Sequence, residues 1–349
     1  MPAYNRRPTA AVYAKAVTTT LAAAVVAALA FGAAPASAKI VMKIGHPLAK
    51  QSGLQKWAEI FKSRIEKRSG GEVEVKIFPS SQLGAIPRMI EGVQLGSIEM
   101  VTIPPGFFTG IDQRYSVLAA PGVFDSMALG HRVIHDPEFK KVFWHIGDHK
   151  GIKTVSMSCD GPSDYATTKP IHHLSDFNGL KLRVFGSKFE IETLRRLGAT
   201  GVPMPLSEVV PAIQRKVIDG NKAAITVFVP FHYQPIAKYV FRAKESLICI
   251  NRVVSLKWFD KLPKKIQTMI TEEAAKTDDQ IIKFNIGLVN KMYKIWVKGG
   301  GVLTELSPAE QNELTQRLST VAQTVLEGQP EVLKVYNVMK EVAARLRKK

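Results

Sequence analysis

The chain has 349 residues, 46% of them hydrophobic, and carries 48 Lys and Arg against 30 Asp and Glu for a formal charge of +18. That length and apolar content allow two domains with cores of their own. The cations are spread along helical stretches such as 62–68 and 291–298 and are not gathered with aromatics, which excludes nucleic acid as the expected partner and leaves a basic surface that attracts anions.

The first element is a leader. Arg6, Arg7 and Lys15 precede an apolar run, 16–32, and then Pro35-Ala36-Ser37-Ala38. A basic start, an apolar middle and an Ala-x-Ala site read as a secretory signal, with cleavage expected after Ala38 and a periplasmic product. An uncleaved anchor is the other reading, but the run is short and Thr-interrupted beside the roughly 17–25 residues of a spanning helix. The Arg pair leaves the Sec and twin-arginine routes both open. Removing the three cations lowers the charge from +18 to +15.

Past the leader, residues 40–45 form a β-branched strand that ends at His46-Pro47, and 54–68 an amphipathic helix with Trp57, Ile60, Phe61 and Ile65 on one face. Ser69-Gly70-Gly71 closes that helix. A strand at 73–78, a turn 79–84, a helix 88–95 and a strand 99–103 follow. Strand, helix, strand, helix, strand predicts a parallel sheet. Ligands sit beyond the carboxyl ends of such strands, so His46, Ser81 and Pro104 are rim candidates. Residues 154–159 and 247–250 are strand-like, and 160–163 look like a crossing or hinge. Residues 181–185 form a strand, 189–197 and 207–215 helices with a turn and bend between them, and 226–231 an apolar strand. A long helix at 264–297 ends at Gly299-Gly300-Gly301, a short strand holds 302–303, and Ser307-Pro308-Ala309-Glu310 starts a capped helix.

Catalytic and metal patterns are weak. His131/His135 and His145/His149 have the i, i+4 spacing that can hold zinc, but no HExxH or third ligand accompanies them. Ser163, Asp164, His172 and His173 lack a GxSxG elbow, and neither a GxGxxG after a strand nor a P-loop occurs. We expect no catalytic residue, no metal and no cofactor. Cys159 and Cys249 can pair in an oxidising compartment. Two buried free thiols in apolar strands fit as well, and neither has a CxxC context.

The most telling residue is Arg183, a single buried-looking cation in the middle of the strand 181–185. Burying it is costly unless an anion meets it, and its planar fork suits a carboxylate. An internal Asp or Glu partner is the alternative to a ligand. The surrounding block, 174–220, with its Gly-Ala-Thr-Gly turn, its Val202–Pro205 bend and its Ile218-Asp219-Gly220 end, resembles the signature region of the DctP-type solute-binding proteins of TRAP transporters. The resemblance covers nearly the whole mature chain. It is strongest at 70–100 and 179–220, with Trp-Phe-Asp-Lys-Leu-Pro at 258–263 a shorter match.

The resemblance implies an α/β, two-lobed periplasmic-binding-protein-like fold, with a ligand cleft between the lobes and a long helix spanning both. Residues 39–160 plus about 249–285 would form lobe I, 161–248 plus about 286–325 lobe II, and 326–349 a C-terminal helix. It also implies that Arg183 clamps the carboxylate of an organic anion, that TRAP membrane permease subunits receive the ligand, and that the protein is a monomer without enzyme activity. This chain departs from the family at four places. Ser163 stands where many relatives carry a second Arg, and Ala223 where they carry a ligand-touching Asn. Leu206 replaces a Phe of the sialic-acid receptors, and Pro104 an acidic residue. A lone cation in a more apolar pocket predicts an apolar or aromatic monocarboxylate. His46 is expected at the cleft mouth, and Phe228 either in the core or stacked on the ligand. An ABC-importer receptor, a periplasmic enzyme acting on a small organic anion, and a ligand sensor are the alternatives.

Overall fold

A computed structural model describes residues 1–2 and 39–348. The leader and its expected cleavage after Ala38 lie outside the described residues.

Strand β1 (Ile40–Gly45) opens the fold. The Ser52 hydroxyl accepts from the Gln55 N–H and so caps helix α1 (Gly53–Arg68), which buries Trp57, Ala58, Phe61 and Ile65. Strand β2 (Val73–Phe78), helix α2 (Ile86–Leu95) and the fully buried strand β3 (Met100–Ile103) follow. Two 3-10 turns, Pro105–Phe108 and Gln113–Ala119, lead to α3 (Met127–His135) and α4 (Pro137–Phe143). Strand β4 (Ile152–Pro162) ends one residue before β5 (Asp164–Thr167). Then come β6 (Lys181–Val184), α5 (Lys188–Arg196), β7 (Thr200–Pro203), α6 (Leu206–Gln214), β8 (Gly220–Ala223) and α7 (Ile225–Phe228). Strands β9 (Tyr239–Phe241) and β10 (Leu247–Ser255) precede α8 (Leu256–Phe259) and α9 (Lys264–Lys298). Strand β11 (Val302–Thr304) and helices α10 (Pro308–Leu318), α11 (Val321–Leu326) and α12 (Pro330–Arg347) complete the chain.

These strands form two sheets, in the orders β2-β1-β3-β10-β4 and β11-β9-β5-β8-β6-β7. The expected parallel pairing holds for β1 and β3, but β10 runs antiparallel to both β3 and β4. The chain leaves the first sheet through β4 and enters the second at β5, across Ser163. Beside that crossing, the Ser163 N–H donates to the Ser246 carbonyl at the start of the return through β10. Helix α9 has 35 residues, about 50 Å at 1.5 Å per residue. It packs on α1 and β4 near its start. Near its end Tyr293 bonds Asp164 of β5 and Trp296 packs on Phe228. The expected α/β fold with two lobes and a long helix along both is therefore present.

Two local expectations need correction. Residues 226–231, expected as a strand, begin with the helical turn α7; a short buried apolar run does not distinguish the two, and packing decides. Of the Gly-Ala-Thr-Gly turn, Gly198 stays in a turn, whereas Thr200 and Gly201 open strand β7, paired in parallel with β6. The second helix, expected over 207–215, spans Leu206–Gln214, and Gly220 opens β8. A β-carbon on Gly220 would stand 2.3 Å from the Ala166 carbonyl, so only glycine lets β8 lie against β5 there.

Cys159 and Cys249, left open between free thiols and a pair, are disulfide-bonded across the β4–β10 register. The bridge links residues 90 apart in sequence, so it restricts the unfolded chain and is worth about 2–4 kcal/mol. Reduction should lower the melting temperature by several degrees, measured by calorimetry with and without reductant. An unchanged melt would remove the bridge from the stability account.

Candidate functional site

Arg183 is fully buried on β6. Its Nε donates to the Met204 carbonyl at 2.9 Å and its Nη1 to Asn221 Oδ1 at 3.3 Å. Its Nη2 has no partner among the described residues. The Phe107 and Phe185 rings flank the guanidinium, their centroids 5.4 and 4.8 Å from its central carbon. Burial pushes its pKa down to about 10, so it is still a cation at neutral pH. No carboxylate forms an ion pair with it among the described residues, so the alternative of an internal acidic partner is not what the structure shows. Arg252 is the contrast. Equally buried, it faces Asp278 at 3.4 Å and donates to Ser156 and Ser158. One buried Arg is neutralised inside the protein and the other is not.

Arg183 lies on the wall of a cavity between the two sheets, narrow in this structure, with a volume of about 30 Å³. Leu48, Leu54, Ile86, Pro104 and Phe107 line it from one side, and Phe185, Leu206, Ala223, Ala224 and Val227 from the other. A β-carbon on Gly106 would stand 2.9 Å from that of Phe185, so a bare backbone is what lets Phe107 and Phe185 close over Arg183. A wider groove between α10 and α12 offers no comparable chemistry, because its cations Lys244, Lys340 and Arg347 are all exposed.

The cavity thus brings together Arg183, Pro104, Leu206 and Ala223. Three other candidates stand elsewhere. His46 is fully buried and bonds Gln55 through Nε2 at 3.0 Å, while its neighbours Pro47 and Leu48 face the cavity. Ser163 is buried at the crossing and lines a smaller hollow that shares Pro104 and Phe185 with the main one. Phe228 packs on Tyr233 and Trp296 in the core, and it is Val227 of the same turn that reaches the cavity. The His pairs are used otherwise: His135 bonds the Met157 carbonyl, His131 faces Asp279 and His145 faces Asp148. Among the described residues no group of three His, Cys, Asp or Glu is placed to hold a metal ion.

Residues 44–329 match the family described as bacterial extracellular solute-binding protein, family 7, the DctP family. The chain belongs to that family. It is thus a TRAP-type extracytoplasmic binding protein and not an enzyme. Among its relatives, the C4-dicarboxylate-binding periplasmic protein of Rhodobacter capsulatus is 26% identical over 69% of this chain and 72% of that protein. The 2,3-diketo-L-gulonate-binding periplasmic protein of Escherichia coli is 25% identical over 67% and 71%. A TRAP solute-binding protein from Desulfovibrio salexigens, solved with orotic acid, superposes with a TM-score of 0.83 at 24% identity, over 88% of this chain and 99% of that one. That likeness fixes the fold. No helix among the described residues is long and apolar enough to cross a membrane.

This binding protein also uses residues that the sequence did not single out. Asn221 reaches Arg183 because β8 pairs in parallel with β6, in the register Arg183 to Asn221; its amide then donates to the Tyr233 hydroxyl. Phe107, Phe185 and Asp160 also belong to the cavity wall. Behind it, Asp164 accepts from the Tyr293 hydroxyl, so it serves as an internal acceptor and not as part of a triad.

Burial pushes the Asp164 carboxyl from 3.8 up to about 7, so the folded chain holds a proton that the unfolded chain releases. Stability from this group is complete below pH about 4 and is lost as the pH rises through about 7. Burial holds His46 and His135 down to about 4. Their contribution is complete above about 6.5 and is lost as the pH falls through about 4. Comparing urea melts of wild type and Asp164→Asn isolates the first effect: the wild-type advantage should shrink from pH 4.5 to 7.5. A constant difference would mean that Asp164 does not hold its proton.

Proposed function

We propose that this protein captures a monocarboxylic acid with an apolar or aromatic body between its lobes, holds the carboxylate on Arg183, and delivers it to TRAP membrane permease subunits. The observation that carries this reading is the unpartnered Nη2 of a fully buried Arg on the wall of an apolar cavity. A carboxylate there would supply the missing charge and accept the free N–H. Solved relatives from Shewanella oneidensis and Desulfovibrio salexigens carry succinate and orotic acid, and both are carboxylic acids. A dicarboxylate is disfavoured here, because Arg183 is the one cation on the described cavity wall.

Leu206, Ala223 and Pro104 shape the apolar wall, with His46, Ser163 and Phe228 supporting it from behind. The lobes divide at the 160–163 and 246–250 crossings, with 39–160 plus about 249–285 in one, 161–248 plus about 286–325 in the other, and 326–349 as the C-terminal helix. The exported protein begins after Ala38 and acts in the periplasm as a monomer. Thermal shift of that protein against aliphatic and aromatic monocarboxylates, C4-dicarboxylates and sugar acids tests the ligand class. A ligand at 100 times its Kd adds about 2.7 kcal/mol, several degrees of melting temperature. Stabilisation by monocarboxylates is expected. Stabilisation by C4-dicarboxylates alone would overturn the assignment.

A further inference from the structure

The cavity wall holds a second charged residue, Asp160 of β4. Asp160 is 2% exposed. Its Oδ2 accepts from the Thr226 hydroxyl at 2.8 Å, and its Oδ1 has no partner among the described residues. Asn285 of α9 is in the same condition. Its Nδ2 donates to the Cys159 carbonyl at 3.0 Å and its Oδ1 is unpartnered. Both free oxygens crowd one face of Gly53, 2.8 and 2.4 Å from where a β-carbon would stand. Turning the Asn285 amide would not supply a donor without setting its oxygen against the Cys159 carbonyl. Asp160 thus brings an unmet acceptor to the cavity wall, while the Asn285 oxygen lies behind it against Gly53 and off the wall.

Unmet buried acceptors cost free energy, and a buried carboxylate more so. A hydroxyl offers one proton, whereas an ammonium offers several and neutralises the carboxylate too. Among the described residues Arg183 and Asp160 are the only charged ones on this wall, and one cation with one anion in an apolar enclosure complements a zwitterion. We propose that the acid bound on Arg183 also carries a protonated amine, which lies against the free oxygen of Asp160: the ligand is an apolar amino acid. This deepens the carboxylate reading and rests on it. Burial raises the Asp160 pKa against the pull of nearby Arg252, so the carboxyl tends to take up a proton, and amine binding should keep it ionised.

The test is isothermal titration of the exported protein with L-leucine and 5-aminopentanoate, against 4-methylpentanoate and 2-hydroxy-4-methylpentanoate, in wild type and Asp160→Asn. The amino acids place the amine near to or far from the carboxylate. One of them should bind at least tenfold tighter than 4-methylpentanoate, and Asp160→Asn should erase that gap while the carboxylate still binds. If Asp160→Asn does not fold, judged by its melt without ligand, the wild-type series decides alone. Equal binding of 4-methylpentanoate would overturn the amine and leave the carboxylate site standing, with Asp160 then closing on Asn285 through its own proton. Tighter binding of the hydroxy acid would overturn the ammonium. Binding of none of the four would overturn this inference, while the carboxylate reading is then decided by the thermal-shift panel.

Discussion

Arg183→Ala should weaken ligand binding severely and leave the protein folded. Removing one partner of a buried, hydrogen-bonded charge pair costs about 2–5 kcal/mol, and each 1.4 kcal/mol is tenfold in Kd. By titration calorimetry the affinity should therefore fall between roughly thirtyfold and a few thousandfold. The unliganded variant should melt close to wild type. It loses two hydrogen bonds, to Met204 and Asn221, but it also sheds a buried cation without an anionic partner. Arg183→Lys should recover little, because a single ammonium cannot reproduce the fork that reaches Met204, Asn221 and a carboxylate at once. An Arg183→Ala variant that binds normally would make Arg183 a structural residue. One that unfolds would do the same.

Asp278→Ala should show the opposite pattern, with a large loss of stability and no direct loss of a ligand contact. Asp278 lies on α9 and is fully buried. It accepts from Trp57 of α1 at 2.8 Å, from Ser156 of β4 at 2.6 Å and from the Met157 N–H at 3.1 Å, and it faces Arg252 of β10 at 3.4 Å. Arg252 in turn lies over the Trp57 ring, 4.1 Å from its centroid. One carboxylate thus ties the long helix to one helix and two strands of the first sheet. Its removal strands a buried Arg, at a cost of about 3–5 kcal/mol, read by urea denaturation at pH 7. Asp278→Asn keeps the acceptor oxygen and should cost less. A loss below about 1 kcal/mol for the alanine would mean that Arg252 finds another partner.

The sequence was most legible where side chains repeat with a period. Strands 40–45 and 73–78 and the helix from Lys264 have the expected bounds, because alternation and the 3.6-residue repeat are local properties. It was least legible in the second sheet, where β5, β7, β8 and β9 are three or four residues long. Strands that short carry no period and exist only through their neighbours. The candidate site divides along the same line. Arg183 stood out because a cation in an apolar strand is anomalous by itself. Asn221 did not, because its role depends on the register of β8 against β6. Phe107 and Phe185 meet only once the two sheets face each other, and Gly106 marks that approach only in retrospect. His46 was placed correctly after a strand end but wrongly toward the cleft, since its ring turns inward to Gln55. Asp160 read as part of a hinge, and its second role as an unmet acceptor required Gly53 and Asn285 from distant parts of the chain.

The most direct measurement is a crystal structure of the exported protein with whichever acid stabilises it most. The account expects the carboxylate in the cavity between the sheets, with one oxygen on the Arg183 Nη2 that now lacks a partner, and the body of the ligand against Leu206, Ala223 and Pro104. An acid bound outside that cavity, or one inside it whose carboxylate points away from Arg183, would contradict the central claim.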